Sequence, residues 1–437
     1  MKVAVIGAGW AGVAAAVHAA QAGHVVTLLE AGRTLGGRAR TLHAPLADGR
    51  TAALDNGQHI LIGAYAECLQ LMRTVGVDPQ AALLRLPLAL VHADGTGLRL
   101  PDASPPWDAL AGIARARGWS VGERLALLAR AVRWRLAGFR CAPTASVADL
   151  CDGLPPRLVR EFIEPLCVSA LNTPLHEACG QTFLRILQDS LFAGRGGSNY
   201  LLPRTDLGAL LPEPAAAWLR ARGHRVHEGR RVRQLARLPA QPGWQVDGEA
   251  FDAVLLAAGS HEAARLVHGA EAPPAERPAL AHWAGKAAAL RFGAIATVYA
   301  EQVGARGALL PLPLLPLPLL ALRSGPAQFA FDRGQLGGPA GLLAFVVSAF
   351  EGERAALQAR VLDQAARELR LPGLRAVQTV VERRATFACT PGLARPPQAI
   401  APGLLACADY VAGPYPATLE GAVLHAASAV RLLMKNR

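Results

Sequence analysis

The chain has 437 residues, enough for two or three domains and a large core, and its hydrophobic fraction of 52% excludes a disordered protein. Its formal net charge of +12 is spread over arginine-bearing stretches such as Ala114 to Arg140 and Trp218 to Arg233. No compact basic cluster is interleaved with aromatics, so the charge favours an anionic membrane surface over nucleic acid.

Lys2 to Ile6 is a short apolar run with the β-branched content of a buried parallel strand. Gly7-Ala-Gly9-Trp10-Ala11-Gly12 follows directly, then an alanine-rich stretch to Ala22 that reads as a helix. Gly7 suits a tight turn, Gly9 lets the backbone approach a pyrophosphate, and Gly12 lets helix and strand pack closely. A second strand, His24 to Leu29, ends at Glu30, where a carboxylate is placed to accept hydrogen bonds from the ribose of an adenosine half. Strand, glycine turn, helix, strand and acid arrive in the order of a dinucleotide-binding unit. The N-terminal apolar run is already the first strand, so no separate leader is expected.

Ala31-Gly-Arg-Thr-Leu-Gly36-Gly37-Arg38 resembles the paired-glycine motif of FAD enzymes in the amine oxidase and carotenoid desaturase superfamily. Arg38 offers a fixed cation for a diphosphate or a flavin edge. The polar turn Asp55-Asn-Gly57-Gln58-His59 reads either as an Asx-stabilised turn or as a lining for the isoalloxazine. Gly57 permits an unusual backbone conformation there, and His59 is the best proton donor in the segment.

Ala66 to Gly76 reads as a helix, and Leu86 to Leu90 and Leu98 to Leu100 as strands. Trp107 to Ala137 and Asp149 to Ser190 carry helical spacing and form a helical insertion outside the dinucleotide unit. After a loop at Gly194 to Tyr200, a helix over Gly208 to Arg222 and a strand over Arg225 to Glu228 return to that unit. Arg230 to Leu235 resembles the superfamily strand whose valine, here Val232, meets adenine through its backbone. Phe251 to Gly259 is another buried strand, and Ala272 to Pro278 a proline-rich connection.

Ala288 to Tyr299 starts the sheet of a second domain. In the leucine-proline run 309 to 320, prolines 311, 313, 316 and 318 bar a regular helix or central strand. The run reads as a buried irregular edge or as an apolar lip dipping into lipid beside a substrate entrance, and the second is the expectation adopted. Leu342 to Phe350 is a strand, Arg354 to Leu369 an amphipathic helix, and Val377 to Glu382 a strand feeding Arg383 to Phe387. Gly403 to Asp409 is a strand ending in an acid placed for ribityl hydroxyls. Pro416-Ala-Thr418-Leu419-Glu420 opens a helix whose positive end would face the flavin N1/C2 carbonyl and stabilise a reduced anionic flavin.

The seven cysteines, at 68, 141, 151, 167, 179, 389 and 407, include no Cys-x-x-Cys pair, which argues against a disulfide framework or a zinc site and suits a reducing cytoplasm. No apolar run reaches the roughly 20 residues a spanning helix needs, so membrane contact is expected to be peripheral.

Leu54-Asp-Asn-Gly-Gln-His59, Pro165 to Pro174, Leu201 to Arg204, Phe331-Asp-Arg-Gly334, Ala385-Thr-Phe387 and Tyr415 to Ala422 together resemble the hydroxysqualene dehydroxylases, a family related to phytoene desaturases and amine oxidases. Ala408-Asp409 stands where that family usually has Gly-Asp, and Tyr410-Val-Ala where it has a tryptophan-containing stretch. The resemblance implies an α/β fold: a Rossmann-like FAD-binding domain from residues 1–65, 201–280 and 385–437, and an inserted substrate domain of helices and mixed sheet from 66–200 and 281–384. It also implies reductive removal of the allylic hydroxyl of hydroxysqualene in bacterial hopanoid or related triterpenoid synthesis. His59 is the candidate proton donor, with Tyr415 or a water as alternatives, and the expected location is the cytoplasm, peripheral at the inner membrane. No motif specifies the electron donor. A polyprenoid desaturase and an amine oxidase are the alternatives, and the 5% aromatic content weighs against the aromatic cage of an amine oxidase.

Overall fold

The computed structural model describes residues 1–192, 194–239, 241–304 and 313–435. The strand Lys2–Ile6 is central, with Val3, Ala4 and Val5 fully buried, as a near-continuous apolar strand covered on both faces must be. It pairs in parallel with Val25–Leu29 on one side and Ala253–Leu256 on the other. Arg225–His227 extends the sheet beyond Val25–Leu29, and Leu404–Ala406 beyond Ala253–Leu256, both in parallel. Ala399–Ala401 closes one edge as an antiparallel strand, completing a sheet of six.

The register sets Ile6 beside both Leu29 and Leu256, and Leu256 beside Ala406. The carboxyl ends of four parallel strands therefore share one edge, with Gly7, Glu30, Ala257 and Cys407 as the next residues. Such an edge, where successive connections diverge to opposite sides, is where open α/β sheets bind their ligands.

Helix Trp10–Gln21 packs between this sheet and the C-terminal helix Leu419–Lys435. Its alanines 14, 15, 16 and 19 are fully buried, and short side chains there let helix and sheet approach closely. Helix Ala66–Thr74 joins the same core through Cys68, Leu71 and Met72. The Glu420 carboxylate of the C-terminal helix accepts from the amides of Glu67 and Cys68 at 2.9 and 3.0 Å, satisfying donors that a helix start leaves free.

The second sheet has five antiparallel strands in the order Leu319–Ala321, Phe329–Asp332, Leu342–Phe350, Phe292–Glu301, Arg375–Phe387. Alternation divides its residues by face. Val298, Phe345 and Val347 pack with Leu357 and Val361 of helix Arg354–Glu368, whereas Tyr299, Phe331, Ala344 and Val346 join the core shared with the polar turn at 54–59.

Several expectations are corrected. The stretch of helical spacing at 107–137 forms two helices, Trp107–Arg115 and Val121–Leu136, separated where Ser120 and Glu123 form a reciprocal cap. The proline-rich connection runs into a helix, Arg277–Ala288, with its proline at the second position, where no amide is needed. Val232 lies outside any strand, since pairing begins only at Leu235. Gly57 does not take a positive φ, so no backbone constraint demands a glycine there.

Of the leucine-proline run, residues 309–312 lie outside the described residues; in the rest, Pro313 and Pro316 are exposed while three leucines turn inward, so this part forms an irregular edge of the second sheet. Leu315, Leu319 and Leu320 are buried in the second sheet's core, and the Leu314 and Leu315 amides donate to Asp332 Oδ2 at 2.8 and 3.1 Å. Asp332 thus supplies the acceptor that proline-broken backbone cannot find in a ladder. All seven cysteines are free thiols. Among the described residues no helix is long and apolar enough to cross a membrane.

Candidate functional site: a dinucleotide crevice joined to a polar turn

The first strand ends at Gly7, whose φ of 97° only glycine takes without strain, and whose amide donates to Leu29 O at 2.8 Å. A Cβ on Gly12 would lie 1.8 Å from Gly7 O, so that glycine is demanded by packing. Gly9 differs. It precedes helix Trp10–Gln21 with ordinary dihedrals and no side-chain cap, and a Cβ there would meet nothing nearer than 3.9 Å. Nothing in the protein requires glycine at that position, whereas an anion drawn up to the Trp10, Ala11 and Gly12 amides would.

The paired glycines close this turn from the other side. Gly36 bridges to Gly9, its amide donates to Ala8 O at 2.9 Å, and Gly36 and Gly37 have φ of 101° and 61°. The Trp10 indole donates to Ala39 O at 3.3 Å, so this side chain braces the motif while its backbone faces the crevice. Glu30 accepts from the amides of Ala8 and Gly32, both at 2.7 Å, which fixes the carboxylate at the carboxyl edge of the sheet. Ala31 next to it is exposed. Arg230 N donates to Glu30 O at 2.7 Å, bringing buried Val232 to the same end. The Val232 carbonyl itself accepts from Arg265 at 3.2 Å.

Arg38 leaves the paired glycines toward the C-terminal segment. Its guanidinium donates to Ala385 O at 2.8 Å and forms a close ion pair with Asp409. Burial alone would lower the Arg38 pKa, but the Asp409 carboxylate outweighs it and holds the guanidinium above its ordinary value. Buried Asp409 follows the strand Leu404–Ala406, and its carbonyl accepts from Ala417 N at 3.2 Å. Thr418 caps helix Leu419–Lys435, its hydroxyl accepting from Gly421 N at 2.9 Å. The Leu419 and Glu420 amides then stand at the helix's positive end.

His59 is half-buried. Its Nδ1 is 2.7 Å from Gly57 O, so Nδ1 carries the proton and Nε2 is left as the free lone pair. Burial lowers the His59 pKa and Arg38 lowers it further, against the Gly57 carbonyl. The ring is thus neutral near pH 7 and donates from Nε2 only after taking up a proton. Tyr415 has a φ of 52°, and its carbonyl accepts from the Thr418 hydroxyl at 2.8 Å. Burial raises the phenol's pKa, and the nearby Asp189 raises it further.

Sequence reasoning passed over Arg333 as a site residue, although it stands in one of the quoted motifs. It is 3% exposed and donates to Gln58 Oε1 at 3.1 Å. Thr297 Oγ1 accepts from Gln58 N at 3.4 Å, and the Tyr299 hydroxyl donates to Asp55 O at 2.8 Å. Asp55 is fully buried, and burial raises its pKa to about 6 even though Arg333 pulls the other way. Only pairing across two sheets shows that the turn at 54–59 is held by the second sheet. Among the described residues no group of three or more His, Cys, Asp or Glu is placed to hold a metal ion.

Residues 10–434 match the family of flavin containing amine oxidoreductases. The chain belongs to this family. This flavoprotein is accordingly a FAD-dependent oxidoreductase, and its fold agrees: an oxidoreductase from Methanosarcina mazei superposes with a TM-score of 0.70 over 99% of this chain and 100% of that one, at 18% identity. The chain is also 32% identical to the hydroxysqualene dehydroxylase of Rhodopseudomonas palustris over 62% of its own length and 65% of that protein. It is 27% identical to the hydroxysqualene dehydroxylase of Zymomonas mobilis over 53% of its own length and 54% of that protein. The matched region thus spans between half and two thirds of these relatives.

Proposed function

We propose that this flavoenzyme removes the allylic hydroxyl of hydroxysqualene to give squalene. The observation that carries the reading is the meeting of motifs outside the glycine turns. Gln58 and Arg333 are joined at 3.1 Å, and Asn172 donates to Thr386 Oγ1 at 3.0 Å. The stretches on which the resemblance to hydroxysqualene dehydroxylases rests thereby form two direct contacts, and the relatives from Rhodopseudomonas palustris and Zymomonas mobilis carry that activity in their names.

The crevice fits FAD. The first-turn amides after Gly9 would hold the diphosphate, Glu30 a ribose, Val232 the adenine, Arg38 and Asp409 the ribityl and diphosphate, and the Thr418 to Glu420 amides the flavin pyrimidine edge. When bound and reduced, FAD supplies the hydride. The protein then has three tasks. It must exclude water, bind an apolar chain, and deliver a proton so that the hydroxyl leaves as water. His59 serves as donor once Nε2 is protonated. The Tyr415 phenol, its pKa raised by burial and by nearby Asp189, holds its proton more firmly.

Flavin absorbance under anaerobic conditions tests the assignment. Hydroxysqualene is expected to oxidise the reduced holoprotein. Neither a saturated polyprenoid nor an amine is expected to reduce the oxidised form. The opposite pattern would assign a desaturase or an amine oxidase.

A further inference from the structure

Eight large apolar side chains are exposed among the described residues, and six of them lie on two neighbouring helices: Trp107, Leu110, Val121, Leu125, Val132 and Leu136, between 38% and 83% exposed. Scattered exposed apolar residues are ordinary, but such a concentration is not. In helix Val121–Leu136 the spacing of Val121, Leu125, Val132 and Leu136 puts all four on one stripe. Leu127 and Trp134, 2% and 9% exposed, fall on the opposite side and hold the helix to the protein. The helix is therefore apolar on both faces, and only one face has a partner.

The borders of the stripe are basic. Residues 107–140 contain seven arginines and two acids, Asp108 and Glu123. Asp108 is buried and Glu123 is engaged in the Ser120 cap. Arg124 is tied to the carbonyls of Ala114 and Ala116 at 3.0 and 2.8 Å, locking the two helices together. Arg115, Arg117, Arg133, Arg135 and Arg140 are exposed, and none forms an ion pair with a described carboxylate. A second copy laid on this face would set arginine against arginine, whereas an anionic bilayer would neutralise the rim and take up the stripe.

Next to this face opens a cavity of about 310 Å³, lined by Pro105, Arg135, Phe139, Asp189 and Phe192 among others. Its Asp189 carboxylate pairs with Arg185 and raises the pKa of the nearby Tyr415 phenol.

We propose that the helix pair Trp107–Arg115 and Val121–Leu136 docks on anionic phospholipid, with the apolar stripe inserted at the headgroup boundary and the cavity mouth turned to the lipid. Vesicle binding is read without turnover, so it does not depend on the substrate assigned above. The holoprotein is sedimented with phosphatidylcholine vesicles containing about one third phosphatidylglycerol. The wild type is expected to bind these and to weaken with added salt or without phosphatidylglycerol. Val121→Ser, Leu125→Ser and Leu136→Ser together should reduce binding at least about tenfold with flavin absorbance unchanged. Arg115→Gln and Arg133→Gln should each cost about fivefold. Brominated lipid should quench the wild type and not Trp107→Phe. Equal binding by the triple variant, or no binding by the wild type, overturns the proposal. So does a wild-type dimer that the triple variant converts to monomer with vesicle binding unchanged.

Discussion

Arg38 and Asp409, 371 positions apart, form an ion pair that joins the paired-glycine turn to the segment following the strand Leu404–Ala406. Asp409 is 7% accessible at its side chain and Arg38 37%, so the carboxylate depends on the arginine more than the reverse. Two parts of one crevice are thereby fixed to each other by charge. Asp409→Ala should weaken FAD binding at least about tenfold, equivalent to about 1.4 kcal/mol, and Asp409→Asn by less, because it keeps an acceptor for Arg38. Titration of the apoprotein with FAD measures both. Equal affinity in wild type and Asp409→Ala would remove the pair from the cofactor site.

Gly9 and Gly12 separate ligand demands from packing demands. Gly12→Ala places its Cβ 1.8 Å from the Gly7 carbonyl, and a contact that short should lower stability by about 3 kcal/mol or more. Gly9→Ala meets nothing nearer than 3.9 Å, so the apoprotein should melt within about 0.5 kcal/mol of wild type while FAD affinity falls sharply. Urea melts of both apoproteins with FAD titrations distinguish the two effects.

Asp55 makes stability depend on pH in an unusual direction. Its pKa, raised by burial from 3.8 to about 6, means the folded state binds the proton more tightly than the unfolded chain. The stabilisation is full below about pH 4 and is lost as pH rises through about 6, a change of about 3 kcal/mol. The unfolding free energy of wild type minus that of Asp55→Asn should therefore fall across this window and level off above it. A difference that rises with pH would show that Arg333 holds the carboxylate ionised.

His59 sets the pH dependence of turnover if it delivers the proton. Burial holds its pKa below 6.5, so the protonated form, and the rate with it, should decline as pH rises through that lowered value. His59→Gln should lose this limb and about 100-fold in rate. A limb that survives in His59→Gln, and is lost in Tyr415→Phe, would transfer the role to the phenol.

The dinucleotide unit was legible because its signals are local. Lys2 to Glu30 contains strand, turn, helix and second strand in unbroken order, and the strand at Leu342–Phe350 needs only its own apolar run to be read. What escaped depends on partners remote in sequence. Leu315 and Leu319 look lipid-facing until Asp332 is seen to satisfy the backbone between prolines. Arg333 looks like a surface residue until Gln58, 275 positions away, meets it. Gly57 permits a positive φ that the fold does not use, because composition cannot tell a conformational need from a polar loop.

Single turnover in deuterated buffer tests the central claim most directly. The holoprotein is reduced anaerobically, mixed with unlabelled hydroxysqualene, and its products are weighed by mass spectrometry. The account predicts squalene one mass unit heavier, with deuterium on the carbon that lost the hydroxyl, formed once per flavin oxidised. Recovery of unchanged hydroxysqualene beside flavin that stays reduced would contradict it.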